Sequence, residues 1–171
     1  MKTKFILFLI GVLCLAASPY GFGGGDVVIN LDVTRSLDFT SDQSSFQLTF
    51  DNYRQGAVTN EVSVNYTFSG NSVTRMTDLV SARVDQDLPG INFQAQMGAF
   101  SKKSGDAVLV PSRSGFATLG TLDTGLANKV IQSGSGLIVD GTASITYRAA
   151  AAQNLSAGQH TVVIIVTFAD N

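Results

Sequence analysis

A few residue groups in this chain have types and spacings that could do chemistry. His160 is the only histidine in 171 residues, and Ser156 and Asp170 lie close to it in sequence. Together they could form a Ser-His-Asp arrangement with His160 as general base. His160 follows Gly158-Gln159 at the start of the last strand-like run, where an exposed turn residue is the ordinary outcome, and no Gly-x-Ser-x-Gly elbow supports a nucleophile. Asp85-Gln86-Asp87 sets two carboxylates two residues apart, as calcium ligation can use, but Leu88-Pro89-Gly90 follows instead of further oxygen ligands. Gly21-Phe22-Gly23-Gly24-Gly25 precedes a strand-like run, whereas a dinucleotide fingerprint must open a helix. Leu88-Pro89-Gly90-Ile91-Asn92 lacks the Thr of a cell-wall sorting motif and sits mid-chain. No catalytic, cofactor-binding or metal-binding residue is therefore expected, and no cofactor.

The composition points the same way. With 14% charged residues, a net charge of −2, one Cys and one His, the chain fits neither a disordered segment nor a basic nucleic-acid binder. Zinc clusters of Cys and His and a disulfide framework are excluded as well. The length suits one globular domain.

Met1-Lys2-Thr3-Lys4, the apolar run from Phe5 to Leu15 and the small-residue stretch from Ala16 to Gly23 have the three parts of a secretory signal peptide. The run is shorter than the roughly 20 residues of a membrane-spanning helix, so the chain is expected to be exported and not membrane-spanning. Cleavage after Gly23 is favoured over Ala16, which makes residues 1–23 the signal and 24–171 the domain. Cys14 follows Leu13, not the small residue that lipoprotein processing requires, so it belongs to the discarded segment. Losing Lys2 and Lys4 leaves nine basic residues against 13 acidic ones, a net charge of −4 with no cysteine.

Beyond the signal the hydrophobic period is two. Val27, Ile29, Leu31 and Val33 form one set; Leu37 and Phe39 follow, then Phe46, Leu48 and Phe50. Val62 to Phe68, Ile91 to Met97, Ala143 to Tyr147 and Val162 to Phe168 repeat the pattern. Side chains alternating in this way belong to strands with one face on a core, and Gly, Asn, Asp and Ser clusters between them supply turns. Met76 to Val84 can be read as a helical turn or a short edge segment, and Gly115 to Val130 is ambiguous. The pattern predicts an all-β domain, a sandwich or barrel; an outer-membrane barrel is the weaker reading because few runs reach the 9–11 residues its strands need.

The two ends carry the most specific signal. Gly158 stands 14th from the C-terminus, with Val162, Ile164, Val166 and Phe168 at alternate positions after it, and Val27, Ile29, Leu31 and Val33 form an alternating N-terminal extension at about 24–35, behind a triple glycine. These features resemble pilins of the chaperone-usher type. The resemblance implies an immunoglobulin-like β-sandwich that is incomplete and is completed by the donated N-terminal strand of the next subunit. It also implies identical or related pilin subunits, a periplasmic chaperone and an outer-membrane usher as partners, and a fimbrium on a bacterial surface as destination. Two departures stand beside it: Asp170 occupies the place of a common penultimate Tyr, and no disulfide is possible in the mature chain. Four inserted aliphatic side chains would contribute about 6–12 kcal/mol before entropy is subtracted. The alternatives are that the extension is the first strand of a closed monomeric sandwich, that the domain is a module recognising carbohydrate or protein through Tyr53, Tyr66 or Tyr147, or, last, that it is a hydrolase.

Overall fold

The computed structural model describes residues 35–170. Strand formation follows the alternation read in the sequence. In chain order the strands are β1 (Leu37–Ser41), β2 (Val62–Asn71), β3 (Val80–Val84), β4 (Ile91–Met97), β5 (Ser101–Gly105), β6 (Ala107–Pro111), β7 (Ala117–Leu119), β8 (Thr124–Ile131), β9 (Ile138–Ala151) and β10 (Ile164–Phe168). No helix occurs among the described residues. The domain is all-β, as expected.

The strands make one sheet ordered β1-β2-β9-β6-β8-β3-β10, with β4 and β5 added on β9 and β7 on β4. The 14-residue β9 is its organiser. Along one side it pairs antiparallel with the whole of β2, from Val62↔Tyr147 to Asn71↔Ile138. On its other side it pairs with β5 in its first half and β4 in its second. Its burial alternates residue by residue, so Val139, Ala143, Ile145, Tyr147 and Ala149 face the core and Ser, Thr and Arg face out. Gly141 on β9 is required by packing: a Cβ there would meet the Phe100 ring at 2.6 Å.

The inward faces meet in one core whose largest fully buried side chains include Tyr147, Phe68, Leu79, Leu109 and Ile145. Tyr66 and Tyr147 solve the problem of burying two phenols by bonding each other, oxygen to oxygen at 2.7 Å. Burial, above all, pushes both hydroxyls above the ordinary tyrosine value; the bond to Tyr147 works against this at Tyr66, while Tyr66 adds to it at Tyr147. Tyr147→Phe leaves the Tyr66 hydroxyl without its partner and is expected to lower unfolding stability by about 1–2 kcal/mol in urea titrations.

Three local expectations change. Phe46, Leu48 and Phe50 alternate in burial but form no strand; only Phe50 makes a bridge, to Thr59. Asn60 takes the place of a partner strand here, its Oδ1 accepting from the Thr49 amide at 2.7 Å and its Nδ2 donating to the Gln47 carbonyl at 3.4 Å. Met76 to Val84 is no helical turn: it delivers β3, which lies inside the sheet between β8 and β10. The ambiguous Gly115 to Val130 stretch supplies β7 and β8.

Candidate functional site: an open groove between the first and last strands

The sheet wraps far enough to bring its two end strands near each other, and among the described residues they are not paired. Among these described residues β1 is paired with β2 alone and β10 with β3 alone, from Ile164↔Val84 to Phe168↔Val80. Between them lies a cavity of about 230 Å³ lined by Phe39 of β1, Ile164 and Val166 of β10, and Phe46, Tyr66 and Tyr147 beneath. Aromatic rings pack beneath it: Phe39 stacks on Tyr66 with ring centres 5.2 Å apart and Phe46 stacks on Tyr147 at 5.1 Å, while in the core Phe168 meets Phe68 edge-on at 5.3 Å.

β10 reaches this position because both its ends are tied down. At its start Asp85 and Val163 exchange bonds, the Asp85 amide to the Val163 carbonyl and the Val163 amide to the Asp85 carboxylate, each 2.9 Å, while Gln86 donates to the Thr161 carbonyl at 3.1 Å. The Asp85-Gln86-Asp87 turn is thus a strand anchor, and no cluster of three metal-ligating residues occurs among the described residues. At its end the side chain of Asp170 is fully buried. Its carboxylate accepts from the Arg75 amide, from the Thr74 amide at 2.8 Å and from the Thr74 hydroxyl at 3.2 Å, and is ion-paired with Arg35, whose guanidinium also donates to the Asp170 carbonyl at 2.8 Å.

Burial acts to raise the Asp170 carboxyl, but the Arg75 and Thr74 amides, the Thr74 hydroxyl and Arg35 outweigh it and hold it below the ordinary carboxylate value. A carboxyl lowered on folding stabilises the domain above its unfolded value near about 4 and loses that contribution as pH falls through the lower folded value. Asp170→Asn is expected to lower unfolding stability by about 1–3 kcal/mol at pH 7, and the gap between variant and parent in urea midpoints should close below about pH 4.

Of the sequence-predicted residues, Ile164, Val166 and Phe168 lie in β10, and Val162 packs against the core just before it. The strand is shorter than the expected run from Val162, and Gly158 lies exposed ahead of it. Val27, Ile29, Leu31 and Val33 and the signal segment 1–23 lie outside the described residues. His160 is exposed, while the Asp170 carboxylate is taken up by Arg35, Thr74 and Arg75. Tyr66 and Tyr147 are buried, which leaves Tyr53, 66% exposed, as the aromatic of that trio open to a ligand. Sequence reading missed Arg35, which is 135 residues from its partner, and it assigned Phe46 by its alternation to a strand, not to the lining of the groove. No helix among the described residues is long and apolar enough to cross a membrane. A scan of protein-family models and a search of curated proteins both find no match to the chain.

Proposed function

We propose that this chain is a structural subunit of an extracellular fibre, an immunoglobulin-like sandwich short of one strand, which assembles by receiving the N-terminal extension of another copy between β1 and β10. The observation that carries the reading is the groove itself: two strand edges, unpaired among the described residues, facing one another over a floor of aromatic side chains edged by Ser41, Gln43 and Ser44. Exposed strand edges of this kind recruit another strand. The segment Asp26–Thr34 has the length and pattern to fill the space. Nine extended residues span about 30 Å, more than the roughly 17 Å of the five-residue β10. Val27, Ile29, Leu31 and Val33 would turn one aliphatic face to the floor.

In this reading main-chain hydrogen bonds to both edges supply affinity and the side chains in the floor supply register. The subunit carries out no reaction; its partners are further copies or related pilin subunits, delivered through the periplasm by a chaperone and an usher to the cell surface, where the fibre can contribute to adhesion. Light scattering coupled to size exclusion, with negative-stain microscopy of the same fractions, tests it. A ladder of multiples of the subunit mass and thin linear fibres is expected; a monomer at every concentration overturns the proposal.

A further inference from the structure

A groove that is to accept a strand must hold its two walls about twice the ordinary strand spacing apart, roughly 9–10 Å. Among the described residues neither wall is fixed from the groove side, since β1 and β10 are each paired there only on their far edges. One polar bridge among the described residues joins them. Arg35 lies two residues before β1 begins, Asp170 two residues after β10 ends, and the guanidinium of the first holds both the carboxylate and the main-chain carbonyl of the second. Beside it the Phe39 ring of one wall lies 6.3 Å from the buried Phe168 ring of the other. At the opposite end Ser41 and Ile164 border the cavity.

We propose that the Arg35–Asp170 pair is a strut that sets the width of the groove, and that both are positioning residues for strand uptake. The inference rests on the donor-strand reading. Its two halves are unequally built. Asp170 is immobilised by the Thr74 and Arg75 amides and its side chain is fully buried, whereas the Arg35 side chain is 56% exposed. Removing the guanidinium therefore cuts the bridge between the walls while Asp170 keeps its amide donors and β10 keeps its ladder to β3. Without the strut, the spacing of the walls rests on the separate ladders of β1 to β2 and β10 to β3, and any drift between them spoils the fit of a third strand.

The test compares the full secreted chain with its Arg35→Gln, Arg35→Lys and Asp170→Asn variants, reading polymer dissociation by light scattering across a dilution and salt series, with urea midpoints in parallel. Arg35→Gln is expected to dissociate at about tenfold higher protein concentration, with a urea midpoint close to that of the parent and with the salt dependence flattened. Arg35→Lys should recover most of the loss, and Asp170→Asn should match Arg35→Gln in assembly. Polymers of Arg35→Gln that match the parent at every salt concentration overturn the strut and leave the donor-strand reading in place. A parent chain that is monomeric throughout overturns that reading, and the strut with it.

Discussion

Ile29→Asp combined with Leu31→Asp should abolish polymers and leave a folded monomer. Each aliphatic side chain moved from water into an apolar groove contributes about 1.5–3 kcal/mol. Losing two therefore weakens each junction between subunits by about 3–6 kcal/mol, roughly 10²–10⁴-fold in affinity, before the cost of desolvating two carboxylates is added. The substitutions fall outside residues 35–170, so the contacts of the described core residues with one another, from Phe68 on β2 to Ile145 on β9, are left as they are. Supplying a wild-type donor strand in cis, fused to the chain, should secure the folded monomer and fill the groove. Sedimentation of the variant would show one species of subunit mass, with the far-ultraviolet spectrum of a β protein; polymers persisting at parental levels would remove the extension from the mechanism.

The second large effect lies at Lys129, on the other side of the Val73–Thr74 peptide whose amide holds Asp170. This lysine on β8 is buried, and its ammonium donates to the carbonyls of Val73 and Gly136, the latter at 2.9 Å. Both acceptors sit on buried residues in loops: the first lies between β2 and β3, the second between β8 and β9. Gly136 is itself placed by Asp106, whose carboxylate accepts from its amide at 3.0 Å. Lys129 therefore ties two chain crossings to the sheet, and the Lys129 amide donating to Met76 at 2.8 Å fastens the first crossing again. Lys129→Met keeps the apolar stem and removes the three donors. Two buried carbonyls then lose their partner, and a destabilisation of about 2–4 kcal/mol follows. Urea titration of the variant checks it; a midpoint within error of the parent would mean that water replaces the ammonium.

What could be read in advance was the direction in which side chains face. Alternation at Val64, Tyr66 and Phe68, at Ala143, Ile145 and Tyr147, and at Val166 and Phe168 assigned these residues to the core, and all of them lie on its strands. Alternation is a local property and does not select a partner. Phe46 to Phe50 shows why: the same period is present and one face is partly buried, yet the side chain of Asn60 satisfies the backbone in place of a ladder. The length of β9 was hidden for a related reason. Its continuation past Tyr147 runs through Ala149 to Ala151, side chains too small to register as an apolar run but suited to lie beside β4. The groove was legible only in part, as a pair of apolar ends. Its polar closure was not, because an Arg and an Asp 135 residues apart give no periodic signal. Asp170 itself is buried, and an ion pair and bonded amides satisfy its carboxylate.

The central claim is that the extension of one copy occupies the groove of another. Disulfide trapping reads this directly, because the chain from Gly24 onward has no cysteine of its own. Leu31→Cys combined with Val166→Cys puts one thiol on the donor face and one on the groove wall. Oxidised under native conditions and run without reductant, this double variant should give a ladder of covalent multiples that collapses to one band on reduction, while each single variant stays at subunit mass or forms only a dimer. A double variant that closes its disulfide entirely within single chains would contradict the account and identify the extension as the domain's own strand.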